Sequence, residues 1–273
     1  MPDEHPAALT AAQAAQRMRD GLLTSQELVQ GCLERIAQVE EQVQAWQFLD
    51  EKHAIAQARA ADESKASGAP LGPLHGIPVG LKDIIDTADM PTENGTPLHK
   101  GRAPRKDAAV VEALRAAGAV IMGKTVTTEC AYYHPGKTRN PHNPEHTPGG
   151  SSSGSAAAVG ASMVPLALGS QTNGSVIRPA AFCGVYGFKP SHGLVPRTGV
   201  LKLSRTLDHM GFFARSLEDI ALLGETLAGY DEGDPDTRPR ARVPFRAVLS
   251  EEPPVEPMFA FMKTPHWDGA DAD

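Results

Sequence analysis

The hydrophobic pattern of the first 68 residues predicts helices. Residues 10–13 (TAAQ) and 24–27 (TSQE) form capping boxes, in which a Thr hydroxyl and a Gln or Glu side chain satisfy free N–H groups at a helix start. A third helical stretch covers 51–67 and ends at Gly68, a residue typical of the position after a helix. Apolar residues recur at helical spacing after the second box: Leu28, Cys32, Ile36, Val39 and Val43. We therefore expect 1–68 to be a helical N-terminal region.

Short apolar runs separated by glycines and polar loops follow from residue 70. Three of these runs are typical of strands: 77–79, 119–122 and 165–168. Between the first two, the pattern predicts a helix that has Asp107 as its N-cap and runs to Gly118. Strands that alternate with helices in this way indicate an α/β sheet covered by helices.

The pattern changes after residue 215, first to one more helix and then to a segment with little regular pattern. Ser216 begins a capping pattern, SLED, for a helix that runs to about residue 228. Residues 229–257 are rich in proline and charge and indicate a surface linker. The apolar run 259–262 (FAFM) predicts one more strand, so we expect 229–273 to be a linker with an incipient strand.

Composition narrows the class of protein. The 273 residues include 26 Lys and Arg against 33 Asp and Glu, a formal charge of −7 at pH 7. This balance argues against nucleic-acid and anionic-membrane partners. The three cysteines are Cys32, Cys130 and Cys183; they are odd in number and far apart, which argues against a disulfide framework. With no signal peptide pattern and no long apolar run, we expect a cytoplasmic protein.

Three short segments match known functional motifs, but the residues around them do not favour the structure that each motif needs. Residues 118–125 fit the phosphate-loop pattern G-x-x-x-x-G-K-T, but the intervening Ala, Val, Ile and Met favour a buried strand. Residues 150–154 fit the G-x-S-x-G elbow of α/β-hydrolases, but three prolines in 140–149 exclude the strand that must precede it. Prolines also surround His142 and His146 and deny them a shared helix face for zinc. We predict no metal and no cofactor.

Three other segments carry the candidate chemistry: 76–83 (GIPVGLKD), 148–158 (PGGSSSGSAAA) and 169–180 (GSQTNGSVIRPA). Each has an ordinary explanation, as a strand end with an exposed lysine, a flexible linker and a plain turn. Together they provide a lysine at the end of an apolar strand and two serines bounded or preceded by glycine. These are the components of a Ser–Lys hydrolase.

The three segments resemble the amidase signature family of serine hydrolases. The family patterns are G-I-P-V-x-x-K-D, G-G-S-S-G-G-S and G-x-x-T-G-G-S, and 24 residues separate its two functional serines, as they separate Ser151 and Ser175 here. The similarity covers about residues 70–228. It implies the amidase signature fold, a mixed twisted sheet covered by helices, with 69–228 as its core.

The resemblance also implies roles for individual residues. Ser175 corresponds to the nucleophile, Ser151 to a bridging serine preceded by a cis peptide bond, and Lys82 to the base. Backbone N–H groups around Ser175, at Thr172, Asn173 and Gly174, correspond to the oxyanion hole.

Lys82 must be uncharged to act as a base. Burial without a close carboxylate lowers the pKa of a lysine, and the apolar run before Lys82 suits such a site. The neighbouring Asp83 would oppose this change if it faced the amine, but strand alternation directs it to the other side.

The resemblance implies an amidohydrolase that cleaves a non-peptide carboxamide bond through an acyl-enzyme on Ser175. Two alternatives stay open: the catalytic subunit of a glutamine-dependent tRNA amidotransferase, and a truncated fragment without catalysis that binds a partner. Gln171 and Asn173 replace the Asp and Gly of many members, and Arg178 lies one position later, which favours a general amidase.

Members of the family are considerably longer than this chain. We therefore expect a C-terminal part of the sheet to be missing. The expected partners are a small-molecule amide substrate and either a second copy of the chain or the missing C-terminal half.

Overall fold

The computed structural model describes residues 5–263, 265 and 267–269. The strands are β1 (Trp46–Leu49), β2 (Pro78–Lys82), β3 (Val120–Thr125), β4 (Leu166–Gln171), β5 (Tyr186–Phe188) and β6 (His209–Ala214). The helices are α1 (Ala11–Arg19), α2 (Ser25–Val43), α3 (Glu51–Ala66), α4 (Ala109–Ala116), α5 (Ser153–Gly160), α6 (Ile177–Phe182), α7 (Leu217–Leu227) and α8 (Phe245–Ser250).

The strands form a mixed sheet in the order β1-β3-β2-β4-β6-β5. Its centre is parallel, because β2 pairs in parallel with both β3 and β4. Strands β1, β5 and β6 run antiparallel to their neighbours. The predicted α/β fold with a mixed sheet covered by helices is confirmed, and the three predicted strands correspond to β2, β3 and β4.

The N-terminal region contains the predicted helices and one strand that the pattern missed. Both capping boxes are present, at Thr10 and Thr24. The predicted helical region 1–68 also contains a short strand, β1, which pairs with β3 and has a buried Trp46 at its start. A strand of four residues is too short to show a clear alternation, so its partner strand decides its conformation.

The start of α4 also differs from the prediction. Ala108, not Asp107, is the N-cap, and it makes no side-chain capping bond. The Asp107 carboxylate accepts a hydrogen bond from the amide of Ala88 at 2.7 Å and pairs with Arg115 at 2.8 Å. Asp107 therefore connects α4 to the loop after β2.

One hydrophobic core extends from the N-terminal helices across both sides of the sheet. Strands β2 and β3 are buried along their whole length. Helix α5 lies so close to the sheet that a Cβ atom on Gly154 would come within 2.3 Å of the Ala45 carbonyl oxygen and 2.4 Å of the Val126 amide nitrogen. This close approach requires glycine and fixes the serine-rich segment against the centre of the sheet.

The segment after α7 departs from the expected linker and strand. It contains α8, whose Phe245 packs edge-on against Phe188 of β5, with ring centroids 5.9 Å apart. The strand predicted at 259–262 is wrong, since these residues form no regular structure and are exposed. A strand needs a neighbour to satisfy its backbone groups, and these residues have none in the described part of the chain. Positions 264, 266 and 270–273 of this segment lie outside the described residues.

Among the described helices, none has the length and apolar character that a membrane crossing needs.

Candidate active site

Lys82 is the last residue of β2 and lies at the centre of the candidate site. Its side chain is completely buried. The Nζ atom donates hydrogen bonds to the Ser151 hydroxyl at 2.7 Å and to the Ser170 hydroxyl at 2.9 Å. The lysine predicted as the base and one of the two predicted serines are thus in direct contact.

The surroundings of Lys82 favour its uncharged form. Burial lowers the pKa of Lys82 to about 7, and the Asp208 carboxylate acts in the opposite direction. At neutral pH a substantial fraction of this amine is therefore free of its extra proton and available as a base.

Asp83 points away from Lys82, as strand alternation predicts. Its carboxylate lies 3.8 Å from the Nζ atom of Lys124 on β3, and both side chains are buried. Backbone amides of Glu93 and Gly95 also donate to it. Burial raises the pKa of Asp83 to about 6, against the opposing effect of Lys124. This second buried lysine keeps the Asp83 charge compensated, so that it does not act on Lys82.

Ser151 lies in the turn just before α5. The peptide bond between Gly150 and Ser151 is cis. The Gly150 carbonyl accepts two hydrogen bonds from the Arg178 guanidinium, at 3.1 and 2.7 Å. The Ser151 carbonyl accepts one from the Thr128 amide at 3.1 Å. The turn that presents the Ser151 hydroxyl to Lys82 is thus held at both of its carbonyl groups.

Ser175 lies just before α6, in the turn that follows β4. The amide of Ser152 donates to the Ser175 carbonyl at 3.4 Å, which joins the two serine segments through the backbone. The Ser175 side chain is mostly buried. Its hydroxyl makes no hydrogen bond to Ser151 or to any other described residue. The structure therefore brings the Ser175 segment beside the Lys82–Ser151 pair without joining the two hydroxyls.

The turn between β4 and α6 holds the other predicted residues. The Gln171 side chain accepts hydrogen bonds from the amides of Val176 and Ile177 and donates one to the Asn173 carbonyl. These three contacts close the turn around Ser175. Within the described part of the chain, the amides of Asn173, Gly174 and Ser175 donate to no protein acceptor. Backbone amides without a protein acceptor can serve as donors to an anionic oxygen.

The sequence analysis did not predict the hydrogen bonds that Ser170 and Ser152 make in the site. Ser170 lies on β4 and accepts the second hydrogen bond of Lys82. The Ser152 hydroxyl donates to the Ser170 carbonyl at 3.2 Å and accepts from the Ser170 amide at 3.3 Å. Both serines lie inside the motifs already noted. The pairing of β2 with β4 brings Ser170 to Lys82, and Ser152 contacts Ser170.

The residues of two of the rejected motif matches make structural contacts. Residues 120–125 of the phosphate-loop match form β3, and Lys124 donates to the Ile85 carbonyl at 2.6 Å. His142 contacts the Cys183 carbonyl through its Nε2 atom at 2.9 Å. Among the described residues, no cluster of three or more His, Cys, Asp or Glu side chains is arranged to hold a metal ion.

Comparison with known proteins gives one consistent family. The Amidase family model matches residues 27–273. A glutamyl-tRNA(Gln) amidotransferase subunit of Chloroflexus aurantiacus is 42% identical over 247 residues, which are 88% of this chain and 50% of that protein. The chain spans about half the length of the curated relatives it matches.

Solved structures give the same result for the fold. The native peptide amidase from Stenotrophomonas maltophilia superposes with a TM-score of 0.84 at 38% identity, over 89% of this chain and 53% of that chain. A glutamyl-tRNA(Gln) amidotransferase subunit from Thermotoga maritima superposes with a TM-score of 0.74 at 33% identity, over 88% and 51%.

Proposed function

The chain belongs to the amidase family, and on that basis we propose that it hydrolyses a non-peptide carboxamide bond through an acyl-enzyme on Ser175. One observation carries the proposal: the Lys82 amine, fully buried and with a pKa of about 7, lies 2.7 Å from the Ser151 hydroxyl. An uncharged amine in contact with a hydroxyl is the requirement for a Ser–Lys nucleophile.

The first step of the proposed mechanism is proton transfer. The Ser175 Oγ atom attacks the amide carbonyl carbon and gives its proton to the Ser151 hydroxyl, which passes its own proton to Lys82. For this transfer the two serine hydroxyls must come into hydrogen-bond contact when substrate is bound. Catalytic hydrogen bonds commonly tighten in this way on formation of the substrate complex.

The negative charge of the tetrahedral intermediate is then stabilised by backbone amides. We assign this role to the N–H groups of the turn at Thr172, Asn173, Gly174 and Ser175. Because Gln171 holds the turn closed, these donors keep their direction before substrate arrives. Such a preorganised donor contributes about 3 kcal/mol to stabilising the transition state.

The second half of the cycle releases the products. The protonated Lys82 returns its proton through Ser151 to the leaving nitrogen, which departs as ammonia or an amine. A water molecule then attacks the carbonyl carbon of the acyl-Ser175 ester and gives a proton through Ser151 to Lys82. Lys82 returns this proton through Ser151 to the Ser175 Oγ atom as the carboxylic acid leaves. All protons are accounted for within Lys82, Ser151, Ser175 and water.

A second candidate follows from the names of the relatives. Proteins named as subunits of glutamyl-tRNA(Gln) amidotransferase are more than 40% identical to this chain over most of its length. On this alternative, the same acyl-enzyme forms from glutamine and the released ammonia serves a transfer reaction. Gln171, Asn173 and Arg178 favour the general amidase, since they depart from the pattern of the glutamine-dependent branch.

Trapping of the acyl-enzyme tests the proposal. The protein is incubated with an activated acyl donor and digested, and the modified peptide is identified by mass spectrometry. We expect the adduct on the peptide that contains Ser175, and its loss in Ser175→Ala. Ser67→Ala, at the exposed end of α3, is the matched control and retains labelling. Labelling of another residue, with Ser175→Ala still active, contradicts the proposal.

The general amidase and the amidotransferase subunit can be distinguished by the substrates that the protein turns over. Turnover of simple aryl or aliphatic amides, with no stimulation by partner subunits, supports the general amidase. Ammonia release from glutamine alone among the amides offered supports the alternative.

A further inference from the structure

We propose that Asp208 is a positioning residue whose carboxylate holds the oxyanion turn through Thr172 and whose negative charge acts on the Lys82 amine. The inference rests on the proposed function for its effect on catalysis. Asp208 lies immediately before β6, next to β4 in the sheet. It stands outside the three segments that suggested the chemistry.

The contact between Asp208 and the turn is short and direct. The Thr172 hydroxyl donates a hydrogen bond to Oδ1 of Asp208 at 2.6 Å. Thr172 immediately precedes the amides of Asn173 and Gly174, so a rotation of the turn that redirected these amides would break this bond. Together, Asp208 from outside and Gln171 from within hold the turn in one conformation.

The carboxylate is itself held in place. Its second oxygen, Oδ2, accepts hydrogen bonds from the amides of Leu203 at 2.8 Å and Ser204 at 2.9 Å. The Asp208 carbonyl accepts from the Arg197 guanidinium at 3.1 Å. That guanidinium is paired in turn with Asp234 at 2.9 Å. Asp208 is therefore a fixed, mostly buried acceptor, and it does not have to give up solvent contacts to bind Thr172.

Asp208 also lines a cavity on the Ser170 side of the site. It lines this cavity together with Thr172 and with Ser170, whose hydroxyl contacts Lys82. Other charged or titratable groups line the same cavity: Arg197, Lys202, Arg205, His209, Asp234 and Asp236. Arg197 and Arg205 are paired with Asp234 and Asp236.

The charge of Asp208 opposes the effect of burial on Lys82. Burial lowers the pKa of Lys82, and the Asp208 carboxylate is the charged group that raises it. Asp83, the other nearby carboxylate, is turned to Lys124. Removal of the Asp208 charge should therefore lower the pKa of Lys82 further. Loss of the hydrogen bond to Thr172 should loosen the turn and leave the pKa of Lys82 unchanged. These two effects can be separated by substitution.

Two variants separate them. Asp208→Asn removes the charge and keeps the shape, and Thr172→Val removes the hydroxyl and keeps the charge. Turnover of a chromogenic amide is measured over the pH range in which Lys82 titrates. We expect Asp208→Asn to move the midpoint of the kcat/KM profile to lower pH by about half a unit or more. Thr172→Val should lower kcat about tenfold, as for loss of one hydrogen bond to a charged group, with the midpoint unchanged.

The matched control is a change of charge far from the site. Glu218→Gln, an exposed position on α7, makes the same change of charge and should leave both the midpoint and kcat unchanged. An unmoved midpoint in folded Asp208→Asn, or full activity in Thr172→Val, overturns the corresponding half of the proposal.

A direct titration separates this proposal from the proposed function. NMR of lysine side chains labelled at the ε-carbon reports protonation of Lys82 in the absence of turnover. A lower midpoint in Asp208→Asn supports the electrostatic effect even if no amide is hydrolysed, in which case the proposed function alone fails. An equal midpoint in both proteins overturns the electrostatic effect whatever the activity.

Discussion

The Lys82 Nζ atom and the Ser151 Oγ atom are 2.7 Å apart, although 69 residues separate them in the chain. A lysine normally stays in water because of its charge, and here it is completely buried. Its hydrogen-bond partners are two neutral hydroxyl groups, those of Ser151 and Ser170. This burial lowers the pKa of Lys82 to about 7, so a substantial fraction of the amine is uncharged at neutral pH and the pair is suited to proton transfer.

The first prediction concerns pH. Because Lys82 must lose a proton before it can act, activity should rise with pH through an apparent pKa near 7. Lys82→Arg keeps a group that stays charged at every accessible pH. It should therefore be inactive at neutral pH and gain nothing as the pH is raised. Steady-state kcat/KM profiles of the two proteins are the measurement, and a parallel rise in Lys82→Arg would exclude Lys82 as the base.

The second prediction concerns stability. The pKa of Lys82 lies near 7 in the fold and near 10.5 in the unfolded chain, so the unfolded state binds more protons between these values. The buried amine thus destabilises the protein most at and below pH 7, and this cost disappears as the pH approaches 10.5.

Lys82→Met removes that cost. The difference in free energy of unfolding between this variant and the parent should shift in favour of the parent as pH rises. Urea unfolding at several pH values measures it. A difference that is independent of pH would show that Lys82 keeps its ordinary pKa in the folded protein.

The third prediction concerns the buried pair of Asp83 and Lys124. Lys124→Met leaves a buried carboxylate without its partner and also removes donors from the Ile85 carbonyl and the Thr92 hydroxyl. Loss of one partner of a buried pair costs about 3–5 kcal/mol. Without Lys124 the pKa of Asp83 should rise above its value of about 6, so the destabilisation should grow with pH.

A double-mutant cycle tests the third prediction. Asp83→Asn combined with Lys124→Met should be more stable than Lys124→Met alone, because no charge is left uncompensated. Additive effects of the two substitutions in chemical denaturation would show that the side chains do not interact.

The fourth prediction concerns Gly154. Alanine at this position places a methyl group against backbone atoms of Ala45 and Val126, which cannot move aside as a side chain can. We expect a loss of about 1–3 kcal/mol in free energy of unfolding, or more, and a displaced serine turn with reduced activity. Gly229→Ala is the matched control, since nothing lies within 4 Å of the added Cβ there. Equal thermal stability of the two variants would contradict the close packing of α5.

Much of the local structure could be predicted from the sequence. Capping boxes at Thr10 and Thr24 and the pattern at Ser216 are local signals, and the structure contains all three caps. The family resemblance is confirmed as well, because it rests on residue types at given spacings. Asp107 shows the limit of such signals, since its carboxylate is engaged by Ala88 and Arg115 and α4 starts without it.

Strands were predicted less well than helices. Strand β1 was missed because its conformation depends on pairing with β3, and the predicted strand at 259–262 does not form for lack of such a partner. The candidate site divides in the same way. Lys82, Ser151 and Ser175 were identified from their motifs, and their proposed roles await the experiments above. The contacts of Ser170 and Asp208 with the site could not be predicted, because they depend on the pairing of β4 with β2 and of β6 with β4.

The amino-acid sequence by itself determined where three of the helices begin, which runs are apolar enough for a central sheet, and which residue types are available for chemistry. Only the tertiary structure decided which of these groups meet. Lys82 is 69 residues from Ser151 and 88 from Ser170 along the chain. The pairing of β2 with β4 brings Ser170 to Lys82, and the packing of α5 against these strands brings Ser151. Because desolvation and hydrogen bonding depend on distances in space, the protonation of Lys82 is a property of the fold and not of its motif.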